Sequence, residues 1–338
     1  MSHGRLGGPE TDDREQQMAK QRPTPPASKV PPRGSAGRAK PGASRRPPTR
    51  SEANRRRRQQ RWLAIVASAV VLIVVAVLVI VKVSSGSGSG SNARATVTAA
   101  QLDQLGSVPV STLVAAAGAA APGTVSPPTN LPATTPALTS AGKPQIVYIG
   151  AEYCPYCAAE RWPLVMALSK FGTFHQLSST KSSSTDVNAN TPTFSFYGSS
   201  YTSPYLDFTS VELQDRLGKP LQKPTAAQTK LINTYDAPPY TQGSGGSIPF
   251  VDLGGRFLIS GTEYDGAALS NKSFDSAVGY MTSAANPTSR AAEAVAGHLI
   301  GVMCSLTNDQ PASVCASVPA SLKTGQAASG NQGSSSGG

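Results

Sequence analysis

Up to Arg61 the chain shows almost no apolar periodicity and is dense in Pro, Gly, Ser, Gln and Arg. Such a segment buries too little apolar surface to offset chain entropy, so residues 1–61 are expected to be a disordered tail. From Trp62 to Val81 the pattern changes to WLAIVASAVVLIVVAVLVIV, with no charge, proline or glycine. Twenty such residues, at about 1.5 Å rise each, match a hydrocarbon core of about 30 Å. A single transmembrane helix is therefore expected over 62–83. A buried globular helix of that length would show a polar face. A cleaved signal peptide would be shorter, begin earlier and end in a small-residue cleavage site.

Beyond the span, Ser84–Ala93 is a flexible Gly/Ser spacer. Val97–Ala120 carries Leu102, Leu105, Val110, Leu113 and Val114 at mixed helical spacing, which suggests two short helices. A Pro- and Thr-rich link, Pro122–Pro144, completes a pre-domain segment, 84–143, and is expected to run extended over the surface. The richest patterning lies in 144–320. Gln145–Gly150 (QIVYIG) is a short β-branched and aromatic run that reads as a buried strand. From Cys154 the pattern turns helical, with Cys157, Trp162, Val165, Met166, Leu168 and Phe171 at steps of three and four.

Further on come strand-like runs from His175, Pro192 and Tyr205, and a helix from Ala226. Ser247–Ile259 then reads as strand, Gly-Gly turn, strand. Gly266–Ala284 and Ser289–Leu306 show helical periods, the first packing Leu269, Phe274, Val278 and Met281. His298 falls on or beside the apolar stripe of the second, where a core or surface role is expected. Residues 321–338 are nearly all small and polar and read as a second disordered tail.

Charge changes this picture only at the N-terminus. The formal net charge is +11, and residues 1–61 account for it with 16 Lys and Arg against 5 Asp and Glu. The remainder holds 14 of each sign, so the folded part offers no basic excess to neutralise phosphates and no nucleic acid is implied. Arg55, Arg56, Arg57, Arg58 and Arg61 precede the span, while only Lys82 follows closely. The positive-inside rule then puts the tail in the cytoplasm and everything beyond Val83 outside the cell membrane. The Arg run can also meet anionic lipid headgroups.

The candidate chemistry is AEYCPYCAAERW, where Cys154 and Cys157 stand at the point where a strand ends and a helix begins. Unsatisfied N–H groups and the positive end of the helix dipole stabilise an anion there, and the thiolate is the attacking species. Cys154 is expected to be the exposed nucleophile and Cys157, one turn inward, the resolving thiol. Pro155 suits the first turn, where its missing N–H costs nothing. Tyr156 is expected to shield the pair. The same tetrapeptide is also half of a zinc site, but such a site needs two more ligands. The other cysteines, Cys304 and Cys315, have ten residues between them, and His175 and His298 stand alone. A redox pair is favoured over zinc and over an inert disulfide. Glu152 and Glu160 read as solvated surface, with proton relay to Cys157 as the alternative.

Pro249 at the start of an apolar strand cannot donate to a ladder and is a candidate cis bond. YIGAEYCPYC together with SIPFVDLGGRFLISG resembles the thioredoxin superfamily. Cys-Pro-Tyr-Cys is the tetrapeptide of glutaredoxins. More closely, GAEYCPYCAAERW followed by ALSKFGTF is similar to a family of membrane-anchored actinobacterial proteins, the thioredoxin-like domain of unknown function numbered 929. The resemblance, over about residues 100–320, implies an α/β thioredoxin-like fold: a mixed sheet with helices on both faces. It also implies an insert within 175–245, since about 90 residues separate Cys157 from Pro249, roughly twice the usual interval.

The resemblance further implies thiol–disulfide exchange. Cys154 attacks a disulfide, and Cys157 resolves the mixed disulfide. Pro249 and the Ile248 backbone hold the partner strand. Tyr153, standing where thioredoxins carry Trp, joins Tyr156 on the substrate face. No cofactor and no metal are implied. The expected partners are exported or membrane proteins bearing thiols or disulfides, together with membrane lipid and a membrane redox partner. The rival is a non-catalytic binding or scaffold module of the cell envelope. Cys304 and Cys315 read as a local structural disulfide in an oxidising compartment, with an electron relay as the competing role.

Overall fold

The computed structural model describes residues 92–242, 245–283 and 285–326. The basic tail, the apolar span 62–83, most of the Gly/Ser spacer and nearly all of the C-terminal tail lie outside the described residues. Among the described residues no helix is long and apolar enough to cross a membrane.

In chain order the elements are β1 (Ala95–Thr96), α1 (Ala99–Gly106), α2 (Val110–Ala119), β2 (Thr129–Asn130), β3 (Thr139–Ser140), β4 (Lys143–Gly150) and α3 (Pro155–Leu168). There follow β5 (Thr173–His175), β6 (Ser178–Lys181), β7 (Pro192–Ser195), β8 (Ser200–Thr202), β9 (Asp207–Glu212) and α4 (Ala226–Tyr235). The last are β10 (Phe250–Leu253), β11 (Phe257–Ser260), α5 (Phe274–Met281), α6 (Pro287–Leu306) and α7 (Ala312–Cys315).

These make a mixed α/β domain around one central sheet. β4 lies in its middle, antiparallel to β10 on one side and parallel to β9 on the other. β11 pairs antiparallel with β10, β2 closes that edge, and β3 turns back on the start of β4. Alternation along β4 explains why both faces are covered. Ile146 and Tyr148 point into the larger core with Trp162, Val165, Val295 and Leu299, from α3 and α6. Val147 and Ile149 point the other way, with Val211, Phe250 and Leu258, beneath Leu231, Ile232 and Tyr235 of α4. The β10–β11 turn places Gly254 and Gly255 at positive φ, 68° and 65°. A side chain at Gly255 would also put its Cβ 2.3 Å from the Pro136 carbonyl oxygen.

The pre-domain segment belongs to the same core. Leu105, Leu113 and Val114 are buried in the larger cluster, and Gly297 of α6 lies against the Leu113 carbonyl. The helix expected over Gly266–Ala284 is shorter. A single 3₁₀ turn covers Ala267–Leu269, Asn271 takes a left-handed φ of 60°, and α5 starts afresh under the Ser273 cap. Within 175–245, β6 joins β1 and β7 in a three-stranded sheet and β5 pairs with β8. This insert covers the start of α3: Trp162 Nε1 donates to the Pro192 carbonyl and Ser183 N to the Tyr153 carbonyl.

Candidate functional site

β4 delivers the chain to Ala151 at the end of the sheet, and α3 begins at Pro155 with Cys154 as its N-cap. Cys154 has extended backbone angles (φ −72°, ψ 121°), and its Sγ accepts the Cys157 N–H at 3.2 Å. A sulfur thus fills the place that Ser or Asp usually takes at a cap, and that place favours negative charge. Both cysteines are free thiols.

The two thiols are held differently. A hydrogen bond with the Cys157 side chain is the largest influence on Cys154 and, with the Cys157 N–H and the Arg161 charge, brings its pKa below the ordinary thiol value despite burial. Burial pushes Cys157 well above that value. This is the division of labour that nucleophile and resolving thiol require. Cys154 is not the exposed thiol that the sequence suggested. It is 5 % exposed, because Tyr153, Leu213 and Ile248 pack over the pair. Tyr156 is the exposed residue between the cysteines, at 48 %.

The chain crosses the front of the pair at Ile248–Pro249, a cis peptide bond, just before β10. The Ile248 carbonyl oxygen lies 3.7 Å from Cys154 Sγ. Pro249 is itself buried, and its own carbonyl accepts from Gly261 N. The structure therefore gathers Tyr153, Cys154, Tyr156, Cys157, Ile248 and Pro249 at one end of the sheet. Cys304 and Cys315 lie elsewhere, joined as a disulfide across a Cα–Cα distance of 5.6 Å at the end of α6.

Beneath the pair lies a layer of buried charge that sequence patterning did not locate. Arg161, fully buried, forks onto Glu212 of β9 through Nε (3.1 Å) and Nη2 (2.7 Å). Nη2 also donates to the Ala151 carbonyl at 2.9 Å, and the guanidinium lies 5.5 Å from the Tyr148 ring centre. The available signal was spacing: Arg161 follows Cys157 by four residues and Cys154 by seven, one face of one helix. Glu212 carries no local signal, since only the parallel pairing of β9 with β4 brings it there.

The expectation of solvated surface at Glu152 and Glu160 is corrected, for both are fully buried. Glu152 is compensated: Arg94, just before β1, forks onto it and Ser195 Oγ donates to it. Glu160 is not. Neither of its carboxyl oxygens has a hydrogen-bond partner among the described residues, and burial pushes its pKa up to about 8. His298 is nearly buried on α6, where burial lowers its pKa. No group of three or more His, Cys, Asp or Glu able to hold a metal occurs among the described residues.

A mixed α/β domain with a Cys-x-x-Cys pair at a strand-to-helix junction is the class that fold and site define. Residues 133–295 match the family model described as domain of unknown function DUF929. No curated protein and no solved structure matches the chain.

Proposed function

We propose that the domain is thioredoxin-like and that Cys154 and Cys157 carry out thiol–disulfide exchange on exported proteins. One observation carries the reading. Cys154 Sγ caps a helix N-terminus, accepts the Cys157 N–H at 3.2 Å and sits 3.7 Å from the Ile248 carbonyl oxygen. An extended peptide whose disulfide approaches Cys154 would run along Ile248–Pro249, with Tyr153 and Tyr156 flanking it. The strand order supports the fold assignment. A strand leading to Cys-x-x-C stands between a parallel neighbour, β9, and an antiparallel one, β10, which the Ile248–Pro249 segment enters.

In the exchange, Cys154 thiolate attacks one sulfur of a substrate disulfide and releases the other as a thiolate. Cys157 then loses its proton and attacks Cys154 Sγ, releasing the reduced substrate; run backwards, the same steps oxidise a dithiol. The uncharged, twenty-residue span and the Arg cluster before it support an extracytoplasmic domain anchored to the membrane by one helix. A disulfide at Cys304–Cys315 fits an oxidising compartment.

The low exposure of Cys154 is the observation that favours the rival reading, a scaffold module with an idle pair. Trapping separates the two. Cys157→Ala should accumulate mixed disulfides with envelope proteins, because the resolving thiol is gone, and Cys154→Ala should accumulate none. If neither variant forms adducts and the full-length chain leaves a small disulfide substrate untouched, the scaffold reading stands.

A further inference from the structure

Arg161 is an expensive residue to keep where it is. Its side chain is fully buried, and Nη1 has no hydrogen-bond partner among the described residues. Leaving a buried donor unsatisfied costs about 1–3 kcal/mol, more for a charged group. A hydrophobic side chain would fill the same space at lower cost, since buried ion pairs are often no more stabilising than apolar packing. Glu212 neutralises one edge of the guanidinium, and the Ala151 carbonyl takes a further N–H of Nη2. What remains is a cation one turn along α3 from Cys157, with both N–H groups of Nη1 free. Its charge acts favourably on both sulfurs, and Glu212 is not among the main influences on either.

A thiol gives such a cation little and a thiolate gives it an acceptor of opposite charge, so the guanidinium stabilises the reduced pair over the disulfide. Stabilising the reduced form is what makes a dithiol couple an oxidant. We propose that Arg161 is a positioning residue that holds negative charge on the reduced pair, and that the domain is thereby a disulfide donor to exported proteins carrying paired free thiols. This rests on the exchange reading above and adds its direction.

The electrons balance as follows. A substrate thiolate attacks Cys154 Sγ of the disulfide form. The Cys154–Cys157 bond breaks, and Cys157 leaves with the electron pair and takes up one proton. The substrate's second thiolate attacks the substrate sulfur of the mixed disulfide, and Cys154 leaves as a thiolate beside the Cys157 N–H and above Arg161. Two electrons pass to the pair, two substrate thiols become one disulfide, and the second proton goes to solvent. A low-molecular-weight disulfide in excess resets the pair by mass action and is itself reduced to two thiols; in the experiment below it is oxidised glutathione.

The full-length chain is equilibrated with mixtures of reduced and oxidised glutathione, and the rate of Cys154 alkylation by iodoacetamide is followed against pH. In the wild type the equilibrium should lie on the reduced side of glutathione. Arg161→Met should shift it roughly tenfold toward the disulfide and move the alkylation midpoint to higher pH. Glu212→Gln, which leaves the guanidinium unneutralised, should move both readouts the opposite way. A purely structural role would move both variants in one direction or neither, and either result overturns the proposal, as does a wild-type pair on the disulfide side of glutathione. Should Arg161→Met fail to fold, the sign of the Glu212→Gln shift still decides. A chain that does not exchange with glutathione at all sinks the exchange reading itself, whereas exchange without these shifts sinks only the role of Arg161.

Discussion

The two cysteine pairs sit in surroundings of different kind. Cys304 and Cys315 are covered by apolar neighbours, with Val302, Met303, Val314, Val318 and Leu322 in the same cluster. The polar groups near them are satisfied: Thr307 Oγ1 donates to the α6 carbonyls, and Asp309 N donates to the Cys304 carbonyl. Cys154 and Cys157 stand as thiols at a helix start, and the layer beneath them holds Arg161, Glu212, Glu152 and Tyr148, all buried. Tyr148 Oη and Arg161 Nη1 have no partner among the described residues. One pair is wrapped in apolar side chains, and the other has buried charge packed beneath its thiols. Spacing alone does not distinguish the two pairs; the helix terminus and the buried charge do.

Glu160 offers the largest test of that contrast. It lies on α3 one turn beyond Cys157, uncompensated, while Glu152 just before the pair is bound by Arg94 and Ser195. Burial raises the Glu160 pKa from 4.5 to about 8, so the folded chain keeps a proton that the unfolded chain releases. Stability is then fully present below about 4.5 and falls as pH rises toward 8, at about 1.4 kcal/mol per unit, before levelling off. Glu160→Gln has no such proton to lose, and its advantage over the wild type should grow across that window. Denaturant midpoints of the full-length chain at both ends of the window measure it. A variant that tracks the wild type at both would mean that Glu160 is not held neutral.

The apolar end predicts a smaller loss of a different sort. Cys304→Ser with Cys315→Ser opens a loop whose ends are 11 residues apart, for which chain entropy gives about 3 kcal/mol. Melting temperature should fall while the rate of exchange at Cys154 is unchanged. Unchanged stability with lost turnover would instead make the second pair an electron relay.

Most of the framework was legible because its periodicities are strong. β4, the body of α3, the β10–β11 hairpin with its glycines, α4 and α6 all follow from apolar spacing and turn residues. The parallel pairing of β9 with β4 was not legible: nothing within the run from Tyr205 states which strand it will meet. The two cysteines could be placed at a helix start from local pattern alone. Their burial could not, because Leu213 and Ile248, which cover them, arrive from distant segments. Charged residues inside a helix ordinarily signal its wet face, and that rule misplaced Glu160 and hid Arg161. It fails at Arg161 because β9 of the insert brings Glu212 against it, and at Glu160 because Glu263 and Tyr264, from the segment after β11, lie beside it.

The smallest expected effect concerns how α3 survives a proline. Pro163 lies inside the helix, where it has no N–H to offer the carbonyl four residues back, that of Ala159. That carbonyl instead accepts the Tyr264 hydroxyl at 2.9 Å, from the segment that follows β11. The phenol is buried and held neutral by that burial, so it remains a donor across the accessible pH range. Tyr264→Phe keeps the ring and its packing and removes only the oxygen, leaving the Ala159 carbonyl without this donor. The cost should be about 1–2 kcal/mol, the penalty of a buried acceptor left unpaired. Because Ala159 lies beyond the first turn of α3, the Cys154 cap should keep its geometry, and alkylation of Cys154 should follow the wild-type pH profile. A larger loss accompanied by a shifted profile would mean that the disturbance is transmitted to the cap, so that the hydroxyl positions Cys154 and Cys157 as well as the helix.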